Sequence, residues 1–475
     1  MMIHQGGTIM TTTEQRPTTQ NPIAHLDKET IERLGKEFDA IHDEVYSDLG
    51  DKDRNYIKSV IAAQRQLAAL GRVVLLNSRS KPAWFAGTAA LGAAKILENM
   101  EIGHNVMHGQ WDWMNDPTIH SSVWDWDTAS TAESWKHSHN YVHHTYTNIR
   151  GKDKDLGYEI MRIDPHQKWN PVYLAQPVYN LLLIAFFEWG VALHDLDLEA
   201  LRRGEKSPSE VVKDLRGIGG KMRAQVIKDY IGWPGISAGA FALTALATGG
   251  RVRQSPTSRL GRQLRKLNSK PANRVAKFAD KALPGVEDTF VATFWANFTA
   301  NIIRNVWSNA IIFCGHFPDQ AYTFSQEEAA DESRGAWYAR QLVGAANIDG
   351  SPLFHIASGN LSYQVEHHLY PDMPSSRYSQ IAPKVKDICE RYDLPYNTGP
   401  FLQQWGQVQR TILRLAFPGG RVRPKAGPYH RPQHSGTGLQ DSEAARFRGR
   451  LPQDHPNAGP EQPGDGVRVD MPDRD

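Results

Sequence analysis

Four long apolar runs limit what this chain can fold into. They are "PAWFAGTAALGAAKILENMEI" (82–102), "VYLAQPVYNLLLIAFFEWGVAL" (172–193), "YIGWPGISAGAFALTALATGG" (230–250) and "FVATFWANFTANIIRNVWSNAIIFCG" (290–315). Each reaches the ~20 residues that carry a helix across ~30 Å of hydrocarbon. The expected fold is therefore all-α, a multi-span transmembrane helix bundle. Buried helices of a large soluble protein are the competing reading. None of the runs is free of charge: Lys95, Glu98 and Glu101 sit in the first and Arg304 in the last. Ionisable groups at membrane depth are costly and usually face the bundle interior or a site.

The ends of the chain are of another kind, and they pull the mean hydropathy down to −0.52. Residues 1–25 are rich in Thr, Gln and Pro, and 424–475 in Pro, Gly and charge; both are expected to be disordered. Between them lie an N-terminal helical region (26–80) and the main domain (81–423). Within the former, Ile31, Leu34, Phe38, Ile41 and Val45 predict a helix over 27–49, with Asp27 as N-cap and Gly50 closing it. Residues 56–77 could complete a hairpin with 82–102. Two cysteines, Cys314 and Cys389, exclude a disulfide framework, and the start of the chain carries no secretory signal pattern. A net charge of +2 argues against nucleic acid as partner. The basic stretch 251–283 lacks interleaved aromatics, which favours a lipid-headgroup or cytosolic loop.

Histidine carries the chemistry. "HNVMH" holds His104 and His108, "HNYVHH" holds His139, His143 and His144, and "QVEHH" holds Gln364, His367 and His368. On an α-helix, residues at i and i+4 share a face, so the first two boxes can each aim two imidazoles at one point. His144 is rotated toward a second point, and His367 and His368 splay from adjacent positions, with Gln364 supplying a neutral oxygen or nitrogen. A single four-coordinate zinc would leave half of these rings idle. Many imidazoles with few carboxylates suit iron, copper or zinc by softness and a dimetal centre by number. Soluble dimetal oxidases use paired Glu-x-x-His motifs instead; only Glu101–His104 matches in this region. A mostly imidazole dimetal site at the mouth of a helix bundle implies O2 activation on an apolar substrate.

Boxes of the form HxxxH, HxxxHH and QxxHH, in this order among apolar runs, closely resemble the integral-membrane fatty acid desaturases. The likeness extends through "WKHSHNYVHHTYTNIRGKDKD" and "GNLSYQVEHHLYPDMPSSRYSQIAP" and covers roughly residues 80–400. Its wording is most similar to the actinobacterial acyl-CoA desaturases of the stearoyl-CoA Δ9 type. The resemblance implies a cytosolic helical cap holding two iron ions, with His104, His108, His139, His143, His144, His367 and His368 as catalytic ligands. It adds His316, in "IIFCGHFPDQ", and places Gln364 where other members have a histidine. It also implies O2 as co-substrate, a long-chain acyl substrate, and a separate NAD(P)H-dependent reductase, ferredoxin or cytochrome b5-type donor. The chain shows no fused haem motif and no Gly-rich dinucleotide fingerprint. The enzyme would sit in the lipid bilayer, the cell membrane in a bacterium, with its site on the cytosolic side. A membrane diiron hydroxylase of alkanes or lipids is the alternative.

Metal-bound imidazoles normally donate their other N–H to an acceptor. Glu101, Asp153, Asp155 and Glu366 are candidates, with His137 and His355 as possible neighbours. His120, His166 and His194 have no partner pattern and are expected to be structural. The tryptophans of "WDWMND" and "WDWDT" suggest an interfacial belt, or a lining for the acyl channel. One topological difficulty follows. Three apolar runs separate the second box from the third, so one of them cannot span if all boxes meet on one side. The run 172–193, broken by Pro177 and Glu188, is the expected interfacial element. The basic stretch 251–283 then falls outside, against the positive-inside rule; the opposite choice keeps it inside only if 230–250 or 290–315 does not span.

Overall fold

The computed structural model describes residues 21–248, 259–282 and 285–431. Most of the two segments expected to be disordered, and part of the basic stretch, lie outside these residues. The described remainder of that stretch forms two helices, 259–266 and 270–282. The protein is almost wholly helical, with one pair of short parallel strands, β1 (Asn347–Asp349) and β2 (Thr398–Pro400).

Helix α1 (Lys28–Ser47) follows its apolar stripe: Leu34, Phe38, Ile41 and Val45 are buried. Asp27 caps it, accepting the Thr30 amide at 2.8 Å. Gly50, expected to close α1, instead begins α2 (Asp51–Leu75), where its N–H donates to the Asp53 carboxylate at 3.2 Å. The stripe of α1 packs on a helix at Arg334–Gly344 through a backbone contact. A Cβ added at Gly335 would stand 2.0 Å from the Ile31 carbonyl oxygen. Gly335→Ala should therefore force the two helices apart and cost about 1–3 kcal/mol. Thermal unfolding reads this directly, and a variant that melts with the wild type contradicts this close approach.

Helix α2 and α3 (Lys81–Leu97) form the expected hairpin, again around glycine: a Cβ at Gly87 would lie 2.7 Å from Cγ of Leu75. The four apolar runs come out unequal. The first is α3 followed by a π-helical segment, Glu98–His104. The second breaks into a 3-10 turn (Pro171–Ala175) and two short helices, Gln176–Ala185 and Phe187–His194, with a kink at Phe186. The third is a helix at Trp233–Ala247 preceded by a π segment. The fourth is α4 (Val286–His316), 31 residues long. Among the described residues, no helix is long and apolar enough to cross a membrane. Helix α4 has the length but not the apolarity, since Asn297, Asn301, Arg304, Asn305, Ser308 and Asn309 all lie buried along it. The expected set of spanning helices thus gains no support from helix length and hydropathy alone.

The charges in these runs pair with one another inside the bundle. Lys95 and Arg72 each reach Asp229 at 2.8 Å, and Arg304 pairs with Glu188. A buried ion that lost its partner would carry the full desolvation cost. Residues 424–431, expected to be disordered, run back along the domain: the Tyr429 amide donates to the Leu394 carbonyl at 2.9 Å.

Candidate metal centre

Each histidine box is carried by an element whose local geometry sets its aim. His104 ends the π segment Glu98–His104, and the next turn brings up His108. The second box also lies on a π segment, Lys136–His143, where α-helical spacing was expected. Such wide turns recur at functional sites, and here the turn redirects three rings within six residues. The third box is a short helix, Gln364–Leu369, and every residue in it is buried. His316 is the last residue of α4.

These elements converge. Ring nitrogens of His104, His108, His139 and His367 lie within 4.8 Å of one another, and so do those of His143, His316 and His368. His144 belongs to neither group but stands between them. Its ring stacks on His368 at 4.5 Å and meets His108 edge-on at 4.7 Å and His367 at 4.9 Å. Gln364 joins the second group, its amide nitrogen 3.1 Å from Nε2 of His316, with its buried Oε1 left without a partner. A Cβ at Gly315 would lie 2.8 Å from Gln364, so the glycine makes room for that side chain.

The hydrogen bonds around the rings decide which nitrogen carries the proton. His143 Nδ1 donates to Asp153 at 3.0 Å, and His139 Nδ1 to Asp155 at 3.3 Å. His368 Nδ1 donates to Oε1 of Gln341 at 3.0 Å, and His104 Nδ1 to Oδ1 of Asn105 at 3.0 Å. His367 Nδ1 faces the Tyr378 hydroxyl at 3.1 Å; that hydroxyl accepts from Gln110 and donates to the Tyr370 carbonyl, so the ring must donate. Five rings therefore hold the proton on Nδ1 and turn an Nε2 lone pair inward. The Nε2 atoms of His108, His143, His144, His367 and His368 are buried without a partner. Those of His104 and His139 face each other at 3.3 Å, a repulsive contact between lone pairs unless a cation lies between them. Neutral imidazoles with inward lone pairs and outward N–H bonds are the donor set of a histidine metal site, so the residues present fit a metal. Burial disfavours the charged form of these rings and pushes His104 down to about 3, whereas Asp153 and Asp155 beside His143 outweigh burial and raise that ring.

Two of the expected supporting carboxylates, Asp153 and Asp155, touch these rings. Asp155 also accepts from His194 Nε2 at 3.0 Å. Burial disfavours a charged His194, but the bond to Asp155 and the charge of Asp195 outweigh it and raise the ring to about 9. The expectation that His194 is merely structural is thus too weak; it braces Asp155. Gln341 and Tyr378 were equally invisible, since a single Gln or Tyr away from the boxes carries no spacing signal, and Asn105, although inside the first box, is not marked as a ring's partner by its position.

Other candidates face elsewhere. Glu101 accepts from Tyr56, Asn360 and Ser375, tying the first box to the loops flanking the third, and touches no ring. Glu366 accepts from Asn347 and Tyr396. His137 is exposed and stacks on Tyr141 at 5.8 Å, because it lies on the outer side of the π turn. His355 bonds Ser362 at 2.7 Å. Of the four tryptophans, Trp111 and Trp126 are buried, which removes them from a surface belt, while Trp113 and Trp124 are half-buried. Trp126 and Trp135 instead wall a small cavity with Met100, Tyr158, Phe187 and Ile312; His104 and His139 border it, and Asp155, Glu188, Asp195 and Arg304 also line it.

Comparison with known proteins gives the family. The model of the family described as fatty acid desaturase matches residues 81–252 and 233–400. The chain belongs to the fatty acid desaturase family. It is accordingly an oxidoreductase, and the resemblance carried by the boxes holds. A relative, the NADPH-dependent stearoyl-CoA 9-desaturase of Mycobacterium tuberculosis, is 42% identical over 409 residues, covering 86% of this chain and 85% of the relative. The sn-1 linoleoyl-lipid 6-desaturase of Synechocystis is 24% identical over 74% of this desaturase and 85% of its own length. Human fatty acid desaturase 3 is 32% identical, but over only 28% of this chain and 26% of the human protein.

Proposed function

We propose that this desaturase inserts a cis double bond into a long-chain saturated acyl-CoA, at the Δ9 position, using two iron ions, O2 and external electrons. The ring nitrogens gathered in two adjoining histidine groups, with Nε2 of His108, His143, His367 and His368 and Nδ1 of His316 buried without a partner, carry this reading. The first iron would be held by His104, His108, His139 and His367, and the second by His143, His316 and His368, with His144 between them and Gln364 beside the second. Bound there, the irons supply O2 activation and the oxidising power to take two hydrogens from adjacent methylenes. The protein's own part is to orient and exclude. The cavity walled by Trp126 and Trp135 takes the acyl chain and lays its methylenes along the wall formed by His104 and His139, away from water. Asp153 and Asp155 keep the protons of His143 and His139 on Nδ1. The balance is two substrate hydrogens, two electrons, two protons and O2 giving one alkene and two waters. The carrier and the double-bond position are taken from the mycobacterial relative's name.

We place the protein in a membrane with the histidines on the cytosolic side. The support is an inverted distribution of polarity. The end of α2, helices α3 and α4 and the helix at 233–247 expose Val73 (63%), Phe85 (66%), Trp295 (51%) and Leu243 (69%), while Thr88, Lys95, Ser237, Asn297, Asn301 and Arg304 on the last three are buried. The first half of α2 keeps the ordinary pattern, with Lys58 and Arg65 exposed and Ile57 and Ile61 buried. A water-facing helix does the reverse. The broken run 172–193 exposes Val178, Leu181 and Leu182 and buries Gln176 and Asn180, which suits an element lying in the interface.

Mass spectrometry of the products from stearoyl-CoA, O2 and a chemical reductant tests the reading. The expected product is the monounsaturated acyl-CoA with its alkene at C9. A hydroxyacyl product without an alkene would overturn the proposal and assign the site to hydroxylation.

A further inference from the structure

We infer that a second, basic cavity beside His316 is where an acidic one-electron redox protein docks to deliver the two electrons of each turnover. The inference rests on the desaturase reading above, which requires those electrons. This cavity, of about 730 Å³, opens between the loops at 163–166 and 317–325, the helix Phe401–Leu415 and the segment 421–425. Whereas the small cavity borders His104 and His139 of the first group, this one reaches His316 of the second, at its inner end.

Its charges do not cancel. Arg150 answers Asp164 at 3.6 Å, and Arg410 pairs with Asp319. Glu328 accepts the Tyr322 hydroxyl at 2.9 Å. Four further cations then stand against the single negative charge of Glu328, an excess of three. Arg414 donates to the Pro418 carbonyl at 3.4 Å, and Lys425 to the carbonyls of Asp319 and Ala321 at 3.0 and 2.6 Å. Arg421 and Arg423 are exposed and meet no carboxylate among the described residues. Uncompensated guanidinium groups steer an acidic protein and fix its orientation through the rate of encounter. The alternative ligand, a phosphate group, calls for guanidinium groups converging on one point. Here Arg414, Arg421 and Arg423 are exposed, and Phe317, Tyr322 and Leu415 also line the cavity. Such a cavity admits a convex surface of a partner and brings its redox centre toward the His316 ring. Each docking transfers one electron, leaving the donor oxidised; two dockings and two protons from water complete one turnover with O2 and the two substrate hydrogens.

The test uses the full-length protein, the double variant Arg421→Glu/Arg423→Glu and its conservative counterpart Arg421→Lys/Arg423→Lys. The donor is an acidic plant-type [2Fe–2S] ferredoxin kept reduced by NADPH and its reductase. At low ionic strength the Glu variant should raise the KM for ferredoxin about tenfold and flatten the dependence of rate on salt. The Lys variant should stay near the wild type. Turnover driven by dithionite and the KM for stearoyl-CoA should be unchanged in both. An unchanged ferredoxin KM, or no ferredoxin-driven turnover by a wild type that turns over with dithionite, overturns the docking site. A rise confined to the stearoyl-CoA KM also overturns it and makes the cavity a headgroup site. Absence of dithionite-driven turnover in the wild type instead defeats the desaturase reading itself.

Discussion

His143→Ala and His368→Ala are each expected to lower alkene formation by ~10³-fold or more and to reduce bound iron, while the protein still folds and inserts. The size follows from the arrangement. A bound metal is worth several kcal/mol of transition-state charge stabilisation, and each 1.36 kcal/mol is tenfold in rate. His368 and His143 belong to one group with His316, and each is clamped from behind, by Gln341 and Asp153. Removing either ring leaves that group without a donor that no neighbouring side chain replaces. The controls are His137→Ala and His355→Ala, whose rings face Tyr141 and Ser362 rather than the centre. Product formation and metal content measured on the same samples decide it. Full activity in either ligand variant, or an equal loss in the controls, contradicts the assignment.

Asp155→Asn should have the next largest effect, about 10–100-fold in iron affinity or activity. One carboxylate here serves three histidines. It accepts from His139 at 3.3 Å and His194 at 3.0 Å, and it lies 3.8 Å from His143. An asparagine keeps the shape but loses the charge, and its amide can present N–H groups where two rings already donate. The rings would then be free to turn or change tautomer, pulling an Nε2 out of line. Iron release to a chelator should accelerate while the melting temperature of the metal-free protein moves little. A variant that binds iron and turns over like the wild type would show that Asp155 is only a solvated charge.

The two parts of the molecule differed in how far sequence could reach. The ligand residues were legible because a metal demands several histidines at fixed spacing, and chance does not supply three such boxes in order. The helix at α1 was legible from its stripe and its Asp27 cap. What escaped were contacts between residues far apart in the chain. His194 looked isolated because its partner, Asp155, lies on another element, and Tyr378 and Gln341 reach the rings only after folding. The π turns at 98–104 and 136–143 also escaped, since box spacing fits an α-helix equally well. The apolar runs were legible as apolar, and Pro177 and Glu188 marked 172–193 as broken, but neither the position of the break nor the polar row along 286–316 was legible. Phe186 breaks one of them, and α4 keeps its length while burying a row of asparagines and Arg304.

The central claim is that two adjoining histidine groups hold a pair of irons. Metal analysis of the purified full-length protein, with Mössbauer spectroscopy on iron-57-enriched samples, measures it most directly. The account predicts two irons per chain, magnetically coupled, falling to one or none in His368→Ala. A single uncoupled metal, or one zinc per chain in protein that makes the alkene, would contradict it.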